Sequence, residues 1–87
     1  PVDVRDELTA RMKEKVGKII SETDEFISFH DFRMVSGENQ TNLIFDIVVP
    51  HSYNQKEAEN LVETIKSTVN TADSRYQCII TVDRSYI

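Results

Sequence analysis

The stretch Thr41-Asn42-Leu43-Ile44-Phe45-Asp46-Ile47-Val48-Val49-Pro50 decides the fold. A run of β-branched and aromatic side chains ends at a proline, which cannot donate to a ladder. Residues 41–49 therefore read as a strand. Leu43, Phe45, Ile47 and Val49 alternate with Asn42, Ile44, Asp46 and Val48. The first set is the more apolar and is expected to face a core.

Upstream, Ser36-Gly37-Glu38-Asn39-Gln40 reads as a turn, and residues 26–35 read as the preceding strand. The two make a hairpin. Asp24-Glu25 is a short polar break. Before it, Val4, Leu8, Met12, Val16, Ile19 and Ile20 recur at spacings of three and four, so residues 3–23 read as a helix with one apolar face. Gly17 inside that helix points to a close approach by another element.

Downstream, Asn54 is an N-cap candidate, with Glu57 at capping-box spacing. Ala58, Leu61, Val62, Ile65 and Val69 form the stripe of a second helix over residues 55–70. Thr71-Ala72-Asp73-Ser74 reads as a loop, residues 76–83 as a third strand and the rest as a short tail. The second and third strands are joined through a helix, so they should lie parallel. The expectation is an α+β, αββαβ two-layer sandwich, with a three-stranded mixed sheet and two helices on one face. It resembles a ferredoxin-like (metallochaperone-like) sandwich lacking its first strand.

At 87 residues, the chain is one domain without repeat or linker. Its 10 Lys and Arg against 15 Asp and Glu give a formal net charge of −5. Nucleic-acid affinity rests on neutralising phosphates with basic side chains, so nucleic acid is excluded as a direct partner, and anionic membrane surfaces with it. The acidity suits cations, and it reads equally as the ordinary solubility of a small acidic domain. The single Cys78 rules out an internal disulfide framework and fits a reducing compartment. No apolar run approaches the roughly 20 residues of a spanning helix. The chain opens at Pro1 rather than Met, which points to a mature or excised piece.

Two helices cover one face of such a sheet and leave the other open. On the first strand, Ile27 and Phe29 are expected inward, with His30, Phe32 and Met34 outward. On the third, Cys78, Ile80 and Val82 are expected inward, while Ile79, Thr81 and Asp83 point outward. The open face would then carry Phe32, Met34, Ile44, Val48, Ile79 and Thr81 as an interface, because a contiguous apolar patch marks an association surface. A small domain gains stability by covering it with a second copy. The polar members of that face, His30, Asp46 and Asp83, come from three different strands. Imidazole with carboxylate suits Zn²⁺, and carboxylate-rich sets favour harder ions such as Mn²⁺. The same three residues also read as ordinary solvated side chains of a charged domain, and Asp31 as a partner for Arg33 or Arg84.

Other signals are weaker. His51 at a strand end reads as exposed, and Cys78 as an inert buried thiol. No nucleophile elbow, phosphate-cradling glycine loop, CxxC pair or catalytic dyad is present. The chain reads as a non-enzyme.

His30-Asp31-Phe32-Arg33 after a helix, Leu43 to Pro50, Glu57-Ala58-Glu59 opening a helix, and Ile79-Ile80-Thr81-Val82-Asp83 together resemble the C-terminal cytoplasmic domain of cation diffusion facilitator transporters. The resemblance covers essentially the whole chain in order. It implies a domain that follows membrane helices, lies at the cytoplasmic face of the cell membrane and forms a homodimer. It implies divalent metal binding at or near the dimer interface, tightening a dimer that favours metal efflux in exchange for protons. His30 matches the family's first-strand metal histidine and Asp83 its last-strand aspartate. Asp46 and Glu59 fall where some members carry histidines, and Thr81 stands where several zinc-transporting members have one. The resemblance therefore implies a set of His30, Asp46 and Asp83, with Glu59, for Zn²⁺, Mn²⁺ or Fe²⁺. A metal-silent dimerisation module, a regulatory domain binding a small organic ligand and a small acylphosphatase-like enzyme are the competing readings.

Overall fold

A computed structural model describes residues 3–86. The element order is α1 (Val4–Thr23), β1 (Ser28–Ser36), β2 (Thr41–Val49), α2 (Gln55–Ala72) and β3 (Tyr76–Arg84). The strands form one sheet in the order β1-β2-β3. β1 and β2 pair antiparallel, and β2 and β3 pair parallel. The α+β sandwich expected from the sequence is the observed fold.

Capping fixes the helix ends. The Asp3 side chain accepts the Arg5 N–H at 2.8 Å and opens α1, whose first turn carries Asp6 and Glu7 at the positive end of the helix dipole. At α2, Asn54 Oδ1 accepts the Glu57 N–H at 2.7 Å and Glu57 Oε1 accepts the Asn54 N–H at 3.0 Å. The capping box read from the sequence is therefore complete. α2 runs on to Ala72, two residues past the expected end, and the Asp73 N–H closes it on the Val69 carbonyl.

The core lies between the helices and one face of the sheet. Met12, Val16 and Ile20 of α1 and Leu61, Ile65 and Val69 of α2 meet Leu43, Phe45, Ile47 and Val49 of β2, with Cys78 beside them. All four β2 residues are fully buried, as their alternation predicted. Of the α1 stripe, only the part from Met12 onward is buried; Val4 and Leu8 stay exposed. Gly17 explains its place: a Cβ there would stand 3.1 Å from the Phe29 ring. The helix passes so close to β1 that only a hydrogen fits without a shift of that ring.

β1 departs from the expected alternation. The register runs from His30 opposite Asp46 to Arg33 opposite Ile44, so Asp31 and Phe32 share the space facing Phe45. This is a β-bulge, and Asp31 takes the left-handed conformation with φ 57°. The extra residue reverses the parity beyond it. Phe32 and Met34, expected outward, instead pack half-buried against the core. The Phe32 ring stacks on Phe45 at 6.0 Å and meets Phe29 edge-on at 6.3 Å. The outward orientation of Phe32 and Met34 is corrected by this bulge: their apolar area is removed from water by facing the helices, at the cost of one unusual backbone angle.

Candidate functional site

The open face of the sheet is built in rows set by the two registers. His30 of β1 stands opposite Asp46 of β2, which stands opposite Thr81 of β3. One row along, Ser28, Val48 and Asp83 are aligned, and on the other side Arg33, Ile44 and Ile79. Of the six residues expected to form an apolar interface, Ile44, Val48, Ile79 and Thr81 lie on this face. Ile44 and Val48 are half-buried, and Ile79 is 43% exposed.

Asp46 is the electrostatic centre. It is half-buried on the central strand. Loss of hydration pushes its carboxyl above the ordinary range, and hydrogen bonding with Asp31 and the negative charges of Asp31 and Asp83 push the same way. Arg33 opposes them. Crowded carboxylates of this kind are relieved by a proton or by a cation. Beside them, His30 is exposed and its Nε2 lies 3.2 Å from Ser28 Oγ.

Asp31 reaches this group because of the bulge. A regular strand would turn residue 31 toward the core, as the alternation of Ile27 and Phe29 implied. Its expected ionic partners are engaged otherwise. Arg33 Nη1 donates to the Asp31 backbone carbonyl at 3.2 Å rather than to its carboxylate, and Arg84 donates to the Tyr53 carbonyl. The only sequence signal for Asp31 was its residue type, since Asp tolerates the left-handed region better than most.

Glu59 lies elsewhere. It is exposed on α2, in the helical layer, where the Gln55 amide donates to its Oε1 at 3.1 Å. It borders a groove shared with Val62, Ile80 and Val82, which is on the opposite side of the sheet from His30 and Asp46. The structure thus brings His30 and Asp46 into one row and Asp83 into the next, and it separates Glu59 from all three within one chain. Among the described residues, no group of three or more His, Cys, Asp or Glu side chains converges tightly enough to hold an ion. A single chain offers a pair of adjacent donors with further carboxylates nearby, rather than a closed site.

The other singled-out side chains behave as expected. His51 is exposed. Cys78 is 3% exposed, and burial pushes its thiol up to about 11. Among the described residues, no helix is long and apolar enough to cross a membrane.

Comparison with known proteins agrees with this architecture. Residues 7–85 match the family described as cation efflux protein, cytoplasmic domain. No curated protein gives a significant match. Among solved structures, the metal-bound C-terminal domain of the CzcD transporter from Thermotoga maritima is 19% identical. It aligns over 94% of both chains with a TM-score of 0.77. A putative zinc transporter, CzrB, is 19% identical over 86% of this chain and 94% of its own, with a TM-score of 0.76. The cytosolic domain of a cation diffusion facilitator family protein is 18% identical over 94% of both chains, with a TM-score of 0.71.

Proposed function

The chain belongs to the family of cation efflux protein cytoplasmic domains, and from that premise we propose that it is the metal-responsive dimerisation module of a divalent-cation efflux transporter. The observation that carries the reading is the row formed by His30 and Asp46, with Asp31 and Asp83 beside it. A histidine nitrogen next to a carboxylate is a Zn²⁺-type donor pair, and added carboxylates widen the range to Mn²⁺ and Fe²⁺. A structural zinc ion takes four ligands. One chain presents too few in register, so a second copy supplies the remainder and metal binding becomes coupled to dimerisation. Support for divalent metal also comes from the relatives, since one is described as metal-bound and the CzrB structure also exists in a Zn form.

The energetic logic follows from charge. Each copy carries a formal −5 at neutral pH. Carboxylates gathered near a two-fold axis repel, and a dication removes that repulsion while adding coordination bonds. It stabilises the closed dimer by mass action, to the extent that it prefers that state. In the whole transporter, the membrane part would move the ion in exchange for protons, and this module on the cytoplasmic side would report the metal level. The half-buried Ile44 and Val48 and the exposed Ile79 supply the apolar part of the contact.

Calorimetric titration of Zn²⁺ and Mn²⁺ into the domain, with sedimentation on the same samples, tests the reading. Saturable binding that tightens the dimer and is lost in His30→Ala is the expected outcome. A dimer indifferent to both ions would reduce the module to an assembly platform.

A further inference from the structure

The apolar stripe of α1 runs further than the core it serves. Met12, Val16 and Ile20 are buried, while Leu8 and Val4, one and two turns earlier, stay exposed. Leu8 lines a groove between α1, the end of α2 and the start of β3, with a volume of about 340 Å³. Pockets for small molecules span roughly 300–1,000 Å³. The apolar part of the groove is aliphatic: Leu8, Met12, Val16 and Ile19 from α1, and Val69 and Ala72 from α2. Met12 is the adaptable member, an unbranched side chain that can re-pack around what enters.

Arg11 and Lys15 line the same groove, four residues apart on α1. Like charges at that spacing repel and disfavour the helix, so the pair is not explained by the stability of α1. Among the described residues, the ion pairs are Arg5 with Asp3 and Arg75 with Asp73. Neither Arg11 nor Lys15 therefore has a carboxylate in contact. Arg75 and Asp73 also line the groove, but they neutralise each other at 2.6 Å. Two uncompensated positive charges remain, in a chain whose formal net charge is −5. Asp73 draws Lys15 from a distance, and the negative C-terminal end of α2, which has no basic residue in its last turn, does the same. Arg11 is the freer of the two cations. The Tyr76 phenol lines the groove as well, and it makes no hydrogen bond among the described residues.

We propose that this groove binds a small amphipathic anion, a carboxylate carried on an aliphatic chain as in a medium-chain fatty acid. The aliphatic lining takes the chain out of water, and Arg11 and Lys15 take the carboxylate through charge-assisted hydrogen bonds. The Tyr76 phenol is a further donor. A neutral apolar ligand would leave both cations unused. An apolar cation would meet like charge, and a compact anion such as acetate would leave the lining wet. A ligand with both parts satisfies the whole groove. The groove lies in the helical layer and contains none of His30, Asp31, Asp46 and Asp83, so this inference is independent of the metal reading.

The test titrates decanoate into the domain in chelator, below the concentration at which it forms micelles, and follows backbone amide shifts by NMR. Saturable shifts centred on Leu8, Met12 and Ala72 are the expected result. Octanoate and hexanoate should bind progressively more weakly, by roughly threefold per methylene removed. Decanol and decyltrimethylammonium should each bind at least ~10-fold more weakly than decanoate, because each lacks the charge that the two cations select. Arg11→Gln should weaken decanoate by at least ~10-fold, and more than Lys15→Gln does, while leaving decanol unchanged. Both side chains are exposed, and removing either relieves a like-charge pair, so the variants should melt no lower than the parent. Ala72→Trp fills the groove from an exposed position and should abolish the shifts; if it fails to fold, the charge variants decide. Decanoate that leaves these amides unmoved overturns the proposal. So does decanol binding as tightly as decanoate, or an affinity for decanoate that Arg11→Gln does not change. Shifts at these amides with phosphatidylglycerol vesicles but not with decanoate would also overturn it, and would assign the groove to a bilayer surface.

Discussion

His30 stands directly opposite Asp46 across the β1–β2 ladder, and Asp46 directly opposite Thr81 across the β2–β3 ladder. That alignment places one imidazole beside one half-buried carboxylate at the middle of the open face. Replacing either partner removes a donor that no neighbour in the row can supply. His30→Ala and Asp46→Ala are each expected to weaken Zn²⁺ binding by at least ~10-fold in calorimetry, within the range a lost ligand or its support commands. Glu59→Ala, in the helical layer, should leave the binding isotherm within twofold of the parent; an equal loss from Glu59→Ala would refute the assignment of the site to the open face.

Asp31 holds the bulge in a left-handed conformation. Asp31→Gly is tolerated there and should change stability by no more than about 1 kcal/mol. Asp31→Val places a β-branched residue where its Cβ meets the backbone, and should cost about 1–3 kcal/mol in denaturant unfolding. Equal midpoints for the two variants would mean that the bulge angle imposes no constraint.

The three rings of Phe29, Phe32 and Phe45 form one cluster with centroids 5.9 to 6.3 Å apart. Phe45 is fully buried. Phe45→Ala should cost about 3–5 kcal/mol, a large share of the stability of a small domain. Half-buried Phe32→Ala should cost less. Thermal melts of the two variants give the order directly, and a Phe32 loss near zero would contradict its packing against the core.

At the end of α2, Arg75 holds the Asp73 carboxyl down to about 2, first through its side chain and then through its backbone N–H. A depressed carboxylate stabilises the fold fully above its unfolded value near 3.8 and loses that contribution as the pH falls toward 2. Asp73→Asn should therefore flatten the acid limb of the stability profile in that window and lower stability at neutral pH by a small amount, since the pair is largely exposed. An acid limb identical to the parent's would show that the pair persists no better than solvated charges.

Cys78 gives a kinetic reading of the core. With the thiol pushed up to about 11, its thiolate is scarce at about pH 8, and the side chain is buried. Labelling by a thiol reagent should be on the order of 100-fold slower in the native state than in denaturant. Comparable rates would place Cys78 at the surface.

The sequence by itself determined the order of the elements and most of their boundaries. Periodicity is local: apolar spacing of three and four along α1 and α2, and strict alternation along β2, each follow from one element meeting one core. The Asn54–Glu57 capping box and the parallel pairing of β2 with β3 were legible for the same reason, since caps and crossovers depend on near neighbours and connectivity. So was the family, through residues His30 to Arg33 and Ile79 to Asp83. The tertiary structure alone decided which side of the sheet each β1 residue serves. Both parities of β1 carry aromatics, so alternation is ambiguous there. The choice was made by Phe45 and Phe29, which draw Phe32 inward and force Asp31 out through a bulge. It also decided that Glu59, which the family resemblance groups with the site, sits across the sheet from His30 and Asp46. Helix phase places a residue around its own axis, but only packing against the sheet fixes which layer that axis occupies.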